Sequence, residues 1–368
     1  MAAVAVIGAG VIGLSTAIKA QEVGHTVTII AEFLPQDTKN IHYTSPWAGA
    51  HHVSFAEGDQ GQLKMDRETF EITWKLLDDD QASEGLYRHR DHQYGTTAEE
   101  VSWWDWMPEH RVLPTSELPL NARHGVSFIT MNFEPSKYLP YLYQRFLSAG
   151  GRVVRAQIQH ITQVIDGAYK AGNDGGPGPE VVFVCAGIGA RTLGGVEDVN
   201  VYPIRGQTVL VRAPWIDFGR TYLPDPDKTY IIPRKSGVVL LGGCRDANDW
   251  YPHARPEMTK SILERTLALC PELVPPEERA KHADDPNHVF TTADLEPIVI
   301  ETGCGLRPAR KGGIRLESEV VHGSRRKAIV VYNYGHGGYG YQSSWGSANI
   351  AVNLMKDALG KQSMADSV

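Results

Sequence analysis

The chain begins with two apolar runs on either side of a glycine turn and a longer mixed segment. Ala3–Ile7 is continuously apolar. Thr26–Ile30 forms a second, largely apolar run, and the strand that it predicts ends at Glu32. Short apolar runs bounded by turn residues are typical of buried strands. The segment between them, up to about Val23, fits a helix. The pattern therefore predicts a strand, a helix and a second, parallel strand.

The glycine turn carries the spacing of a dinucleotide-binding loop. Gly8, Gly10 and Gly13 form Gly-x-Gly-x-x-Gly between the first strand and the helix, and Glu32 follows 19 residues after Gly13. Such glycines permit a tight turn and a close approach of the backbone to pyrophosphate, and an acidic residue at this spacing binds ribose hydroxyls. The motif does not separate NAD from FAD, and a tight turn without a nucleotide is the alternative.

The rest of the chain continues the alternation and then changes to short strands. The predicted segments are helix Tyr138–Ser148, strand Arg152–Ile158, loop Ala171–Pro179, strand Val181–Gly187, strands Thr208–Val211, Tyr230–Pro233 and Val238–Leu241, helix Pro256–Leu269, strand Ile329–Tyr334 and a helix from about Tyr341 to Leu359. This order indicates an α/β fold, with a Rossmann-like nucleotide-binding domain and an inserted β-rich substrate domain. We place the first domain at residues 1–55, 140–200 and 295–368, and the second at 56–139 and 201–294.

Composition narrows the classes of function. A length of 368 residues suits two domains, and a net charge of −7 argues against a general nucleic-acid surface. No apolar run reaches the roughly 18 residues that a membrane span needs, so we expect no membrane partner. Cys185, Cys244, Cys270 and Cys304 show no metal-binding spacing. We therefore expect no metal site and an intracellular protein with reduced thiols, although one disulfide stays open.

Arg245 follows the apolar run Val238–Leu241 and two glycines, where a strand is expected to end. A guanidinium buried there needs an anionic partner, because an unpaired buried charge costs several kcal/mol. Asp246 and Asp249 are the only acidic residues close in sequence. We expect a substrate carboxylate to be the partner, and a surface pair of Arg245 with Asp249 is the alternative.

Further motifs, in order along nearly the whole chain, resemble the D-amino-acid oxidase family. They are Val6–Ser15, Ser45–Ala50, Pro203–Thr208, Tyr230–Arg234, Gly305–Pro308 and Tyr334–Gly340. The resemblance implies an FAD-dependent oxidase with a flavin domain and a substrate domain of mixed sheet. An NAD-dependent dehydrogenase shares only the first strand–helix–strand unit and leaves the later motifs unexplained.

The resemblance also implies roles for single residues. Arg307 resembles the arginine that binds the substrate α-carboxylate, and Tyr230 the tyrosine that assists it. Arg245 stands where the neutral-substrate branch carries Tyr or Phe, and in this it resembles D-aspartate oxidases. His51 and His52 are expected at the pocket rim as donors to a side-chain carboxylate, with a structural role equally open. The implied substrate contacts are Arg307, Tyr230, Arg245, His51, His52 and Gly338.

The implied contacts to FAD come from several separate parts of the chain. They are Gly8, Ala9, Gly10, Val11, Ile12, Gly13, Glu32, Ser45, Gly49, Ile158, Ala186, Gly187, Arg307, His336, Gly337, Gly338, Tyr339, Gly340 and Tyr341. The loop Gly335–Gly340 and the N-terminus of the last helix are expected to face flavin N1 and the C2 carbonyl, where the helix dipole favours negative charge. His336 is expected to contribute its backbone rather than its imidazole.

The implied reaction is oxidative deamination of an acidic D-amino acid, with hydride transfer from Cα to flavin N5. D-aspartate is the expected substrate, D-glutamate and N-methyl-D-aspartate are further candidates, and O2 is the acceptor, so the products are a 2-oxo acid, NH3 and H2O2. No acid–base residue is needed if the amine arrives neutral. The alternatives are a broad oxidase of neutral D-amino acids and a dinucleotide-binding protein without turnover.

The resemblance leads us to expect a homo-oligomer and a peroxisomal location. The last residues, Met364–Val368, do not match the Ser-Lys-Leu type of peroxisomal signal, which weakens the second expectation.

Overall fold

The computed structural model describes residues 1–54, 56, 58–119, 121–169, 178–224, 228–285 and 287–365. This part of the chain contains fifteen strands and seven α-helices. The strands are β1 (Ala3–Ile7), β2 (Thr26–Ala31), β3 (Leu86–Gly95), β4 (Arg111–Val112), β5 (His124–Phe133), β6 (Arg152–Arg155), β7 (Val181–Val184), β8 (Val201–Arg212), β9 (Phe218–Tyr222), β10 (Thr229–Pro233), β11 (Val238–Gly242), β12 (Asp246–Ala247), β13 (Val299–Arg310), β14 (Arg315–His322) and β15 (Lys327–Tyr334). The helices are α1 (Val11–Glu22), α2 (Gln60–Leu76), α3 (Pro135–Ser148), α4 (Ile161–Ile165), α5 (Pro256–Leu269), α6 (Pro276–Lys281) and α7 (Ser344–Ala365).

The first sheet has six strands in the order β14-β15-β7-β1-β2-β6. All neighbours in it are parallel except the pair of β14 with β15. The four residues of β7 and four of the five in β1 are buried, as expected for strands covered on both faces. Apolar residues of α1, α3 and α7 pack on one face, and those of α4 pack on the other.

The second sheet has nine strands, in the order β12-β8-β11-β10-β9-β3-β5-β4, with β13 paired to β8. Side chains alternate between its two faces. Val209, Val211, Ile231 and Leu241 pack on one face in the same core cluster as Ile262 of α5. The opposite face carries the intervening residues of β8, β10 and β11 and borders the main cavity of the molecule.

The predicted α/β fold class is confirmed, with corrections to the extent of several elements. Helix Pro256–Leu269 has the predicted bounds, whereas the last helix begins at Ser344 rather than near Tyr341. The predicted strand Thr208–Val211 is one third of the longer β8. The predicted strand Arg152–Ile158 ends at Arg155. Of the predicted loop 171–179, only residues 178 and 179 lie within the described residues.

One strand lies across the predicted domain boundary. β13 falls in the range 295–368 that we assigned to the nucleotide-binding domain, yet it pairs antiparallel with β8 over eleven positions of the second sheet. Its far end leads into β14 and β15 of the first sheet. β13 therefore connects the two sheets, and the boundaries themselves stay a prediction. Among the described helices, none has the length and apolar character to cross a bilayer.

Candidate active site

A cavity of about 830 Å³ extends from the glycine loop of the first sheet to the inner face of the second. It is lined by residues 7–12, 30–33, 42–45, 47–51, 156–159, 185–189, 191–193 and 333–334, by 336–342, and by single residues of the second sheet and its loops. All predicted substrate and FAD contacts line it except His52 and Gly13. The cavity therefore brings together segments that are more than 300 residues apart in sequence.

Three glycines, Gly8, Gly10 and Gly13, determine the shape of the glycine loop at one end of the cavity. Gly8 has a φ of +106°, a conformation that L side chains rarely adopt. A Cβ on Gly10 would lie 2.9 Å from Ser45 Oγ, which accepts a 3.0 Å hydrogen bond from the Val11 amide. A Cβ on Gly13 would overlap the Gly8 carbonyl, so Gly13 lets α1 pack on β1 instead of contacting a ligand. This corrects its assignment as a direct FAD contact.

Glu32 stands at the end of β2, beside the glycine loop. Its carboxylate is exposed, lines the cavity and forms no hydrogen bond or ion pair with the described residues. The nearby Arg155 is paired with Asp37 instead, at 2.8 Å. The carboxylate is thus available to accept hydrogen bonds from a ribose, as the spacing after Gly13 predicts. Ile158, Ala186 and Gly187 line the same cavity.

Gly49 and Tyr341 bring the two sides of the cavity together. A Cβ on Gly49 would lie 2.7 Å from Ile232 Cδ1 of β10, so the loop after residue 47 passes close to the second sheet at this glycine. Tyr341 is buried, and its hydroxyl donates a 3.0 Å hydrogen bond to the Ser45 carbonyl. These contacts fix the loop that carries Ser45 against the glycine loop.

The loop from Gly335 to Gly340 is attached to β13 and to the last helix. The Gly337 amide donates to the Pro308 carbonyl at 2.9 Å, and His336 Nε2 lies 3.1 Å from Ser347 Oγ of α7. Burial lowers the pKa of His336 to about 3, so its imidazole is neutral. Because Nε2 of the imidazole is used by α7, the expected backbone contact of His336 with a ligand is compatible with the structure and stays a prediction.

The dipole of the last helix acts at a greater distance from the cavity than we expected. Residues 336–342 line the cavity, but α7 begins only at Ser344, which does not. Tyr341–Ser343 form a turn in which the Ser343 amide donates to the Tyr339 carbonyl at 3.0 Å. The groups presented to the cavity here are those of the loop and the turn.

Arg307, on β13, is held at the cavity by three oxygen atoms. Its Nη1 donates to the carbonyls of Cys244 at 2.9 Å and Arg205 at 3.3 Å, and its Nη2 lies 3.4 Å from the Tyr230 hydroxyl. No carboxylate of the described chain pairs with it. An oriented, half-buried guanidinium without a carboxylate partner is suited to bind a ligand carboxylate in two-point geometry.

Glycines make room for this arrangement. A Cβ on Gly206 would overlap the Arg307 guanidinium, and one on Gly242 or Gly243 would overlap the Tyr230 ring. Gly338 of the 335–340 loop also lies beside Arg307, since its Cβ would be 3.5 Å from Arg307 Cδ. The two glycines before Cys244 thus serve the tyrosine on the neighbouring strand.

Arg245 lines the cavity but is exposed, which corrects the expectation of a buried charge. After β11 ends at Gly242, the buried position is taken by Cys244, and the next side chain turns outward. Asp246 and Asp249 lie 3.3 Å from Arg205 and 2.6 Å from Arg255, respectively. The alternative pair of Arg245 with Asp249 is absent, and Arg245 has no ion pair among the described residues.

Arg205 is a buried positioning residue that the sequence did not reveal. It is fully buried, and besides Asp246 it donates to the carbonyls of Tyr251 at 3.1 Å and His253 at 2.6 Å and to Gln207 Oε1 at 2.9 Å. Arg205 therefore anchors the segment 244–253, which carries Arg245. The signal was present as an arginine inside the Pro203–Thr208 motif.

The two histidines after Ala50 lie in different surroundings. His51 is buried at the cavity wall, with its Nε2 3.4 Å from Asp91 Oδ1. His52 does not line the cavity; its ring packs against Phe70 and Phe133, and its Nε2 lies 3.1 Å from the Asp66 carbonyl. The expected contact of His52 with substrate is therefore wrong, because successive residues of an extended segment point in opposite directions.

These residues fit a dinucleotide. The cradle at Gly8 and Gly10 leaves room that a side chain would fill, Glu32 offers an unpaired carboxylate, and the cavity continues past Tyr341 to Arg307. Gly8, Gly10, Glu32 and the backbone of residues 337–340 are the groups that would hold it.

Comparisons with known proteins agree with this fit. The sequence model of the DAO family, described as FAD dependent oxidoreductase, matches residues 3–354. D-aspartate oxidase of Cryptococcus neoformans var. grubii is 36% identical over 95% of this chain and 96% of its own length. D-amino-acid oxidase of Schizosaccharomyces pombe is 34% identical over 95% of each chain.

Solved structures share the fold at low identity. Glycine oxidase from Bacillus cereus matches with a TM-score of 0.69 at 18% identity, covering 97% of this chain and 96% of its own. L-proline dehydrogenase from P. horikoshii matches with a TM-score of 0.69 at 10% identity, covering 97% and 94%. The family match over nearly the whole sequence shows that the chain belongs to the DAO family of FAD-dependent oxidoreductases.

Proposed function

We propose that the protein oxidises acidic D-amino acids, with D-aspartate as the preferred substrate and O2 as the electron acceptor. The observation that carries this proposal is the pair of arginines, Arg307 and Arg245, that line one cavity without a carboxylate partner among the described residues. The D configuration and the amino-acid substrate are supported by the two relatives named D-aspartate oxidase and D-amino-acid oxidase.

The overall reaction converts the amino acid, O2 and water into the 2-oxo acid, ammonia and H2O2. The amino acid loses two electrons and two protons to become an imine, water hydrolyses the imine, and O2 takes up the two electrons and two protons to form H2O2. FAD, when bound, supplies the two-electron acceptor between substrate and O2. The protein has to hold the substrate in one orientation and keep its charges satisfied.

Arg307 and Tyr230 are the groups we assign to the α-carboxylate. The guanidinium keeps donors free beyond those used for the carbonyls of Cys244 and Arg205, and the tyrosine hydroxyl lies next to it. Because this carboxylate is common to all α-amino acids, the pair fixes the substrate without selecting its side chain.

Arg245 is the group we assign to the side-chain carboxylate. It follows Cys244, whose carbonyl is bonded to Arg307, so the two guanidinium groups are linked through one residue of backbone. A dicarboxylate engages both arginines, whereas a neutral amino acid engages only Arg307. His51, at the cavity wall, is assigned as a further donor to the side-chain carboxylate.

Two alternative functions fit some of the same features. A broad oxidase of neutral D-amino acids fits the exposure of Arg245, because an exposed arginine can turn away from the cavity. A dinucleotide-binding protein without turnover fits the glycine loop alone.

The experiment is anaerobic mixing of the FAD-loaded protein with a panel of amino acids, followed by the flavin absorbance near 450 nm. The panel holds D-aspartate, D-glutamate, N-methyl-D-aspartate, D-alanine and L-aspartate. Under our proposal D-aspartate bleaches the flavin fastest and L-aspartate leaves it oxidised. Faster bleaching by D-alanine favours the broad oxidase, and a flavin that none of the panel bleaches points to the protein without turnover.

A further inference from the structure

Three buried side chains meet behind the cavity wall. His51 Nε2 lies 3.4 Å from Asp91 Oδ1, and His89 Nε2 lies 3.7 Å from the same oxygen. One ligand atom from each residue lies within 4.8 Å of the other two, and this is the one such group of three found among the described residues. Ligand atoms at about 2.0–2.2 Å from a tetrahedral Zn²⁺ are separated from each other by about 3.3–3.6 Å.

Two of these atoms have no hydrogen-bond partner. His51 Nε2 and Asp91 Oδ1 are fully buried and unsatisfied, although buried polar atoms are almost always paired. The third atom, His89 Nε2, has only a 3.4 Å contact from the Asn132 amide, which also donates to the Pro233 carbonyl at 2.7 Å. The lone pairs on these three atoms therefore accept few or no hydrogen bonds from the described residues, and the three atoms lie close together.

The outer contacts of the cluster orient its ligands. His89 Nδ1 lies 3.4 Å from the Tyr87 carbonyl, so a proton on Nδ1 leaves the lone pair on Nε2. Asp91 uses its other oxygen, Oδ2, to accept a hydrogen bond from Gln93 Nε2, which leaves Oδ1 free. A backbone carbonyl and a side-chain amide in these positions are typical of the groups that orient metal ligands.

The sheet builds the cluster from one strand and one loop. His89 and Asp91 are two residues apart on β3, so their side chains lie on the same face of the sheet. His51 pairs with β5 through a bridge to Asn132. Gly219, opposite Asp91 on β9, leaves space for the carboxylate, since a Cβ there would overlap Asp91 Oδ1. Of the three, His51 lines the cavity and gives an ion a path from solvent.

We propose that His51, His89 and Asp91 form a binding site for one divalent transition-metal ion, with Zn²⁺ the best match to two imidazoles and one carboxylate. Burial lowers the pKa of His51 to about 4, so its imidazole is neutral and able to ligate at neutral pH.

The proposal departs from the expectation of no metal site, which rested on the cysteines. It is independent of the proposed substrate, because the ion is detected without turnover. In the ion's presence a charge of about +1 remains on the site, from Zn²⁺ and one carboxylate.

The test measures Zn²⁺ bound to the FAD-loaded protein. The protein is dialysed against EDTA, then against excess ZnSO4, then against metal-free buffer, and bound zinc is determined by elemental mass spectrometry. We expect about one Zn²⁺ per chain. Titration with Zn²⁺ against a competing chelator should give dissociation constants raised at least about tenfold in His89→Gln and Asp91→Asn, since loss of a ligand costs no less than loss of an outer contact.

His282 and His288 serve as the control. Their rings stack with centroids 3.5 Å apart, so they could bind Zn²⁺ by themselves. The double variant His282→Gln/His288→Gln retains the bound ion under our proposal. A wild type without zinc, or zinc lost only in this double variant, overturns it.

A second measurement covers the case in which His89→Gln or Asp91→Asn fails to fold. Crystals of the wild-type holoprotein soaked in ZnSO4 are measured at the zinc absorption edge. An anomalous peak between His51, His89 and Asp91 supports the site, and its absence there overturns the proposal whatever the variants do.

Discussion

The Arg307 guanidinium donates a 2.9 Å hydrogen bond to the carbonyl oxygen of Cys244, the residue before Arg245. This contact ties the arginine on β13 to the segment that carries the second arginine. Arg205 anchors the same segment from the other face of the sheet, through the carbonyls of Tyr251 and His253. The separation between the two guanidinium groups therefore depends on one well-bonded stretch of backbone.

Replacing Arg245 by Tyr is expected to separate acidic from neutral substrates. A hydrogen-bonded charge contributes about 1.5–3 kcal/mol, which is about 10- to 150-fold in kcat/KM. We expect the lower half of that range, because Arg245 is exposed. Steady-state rates with D-aspartate should fall by that factor in Arg245→Tyr while those with D-alanine stay within about twofold. Equal losses on both substrates contradict the assigned role.

Replacing Arg307 by Lys is expected to affect all substrates alike. A lysine keeps the charge but loses the planar fork that the Cys244 carbonyl and the Tyr230 hydroxyl orient. We expect kcat/KM to fall about a hundredfold or more with both D-aspartate and D-alanine, since the α-carboxylate is common to them. A loss confined to D-aspartate would mean that the roles of the two arginines are exchanged. Unchanged FAD absorbance is the control for folding.

The sequence predicts the first sheet well and the second sheet poorly, for a physical reason. β1, β2, β7 and β15 lie in the middle of a parallel sheet, so they are apolar on both faces and visible as runs. β3 was not predicted because its buried side is polar. His89, Asp91 and Gln93 point inward, and Arg88 is exposed between Tyr87 and His89. A pattern read by hydrophobicity alone cannot detect such a strand.

The candidate site was predictable as far as motifs mark it. Gly8, Gly10, Glu32, Tyr230 and Arg307 were named from their sequence setting, and all line one cavity. The burial of Arg245, by contrast, was predicted wrongly, because a strand's end does not reveal which of two successive residues turns inward. Arg205 was missed since its role comes from carbonyls nearly 50 residues away, and sequence proximity does not show them.

Adding a methyl group at Gly206 is expected to move Arg307 without unfolding the protein. The new Cβ overlaps the guanidinium, which is the mobile end of a long side chain, so the chain can yield there. We expect Gly206→Ala to lower kcat/KM at least about tenfold for D-aspartate and D-alanine alike, with a shift in Tm of a few degrees at most. Gly360→Ala is the matched control, because nothing lies within 4 Å of a Cβ at that position in α7. Full activity of Gly206→Ala contradicts the placement of Arg307.

Replacing the buried His52 by Gln is expected to reduce the sensitivity of the fold to acid. Burial lowers the pKa of His52 to about 4, whereas the pKa of a histidine in an unfolded chain is about 6.5. Between these values the unfolded chain binds the extra proton, so stability is lost as pH falls through this window, by up to about 1.4 kcal/mol per pH unit. Urea unfolding at several pH values should show a slope of unfolding free energy against pH that is shallower by up to this amount in His52→Gln. Identical slopes in wild type and His52→Gln would show that His52 takes up its proton without unfolding.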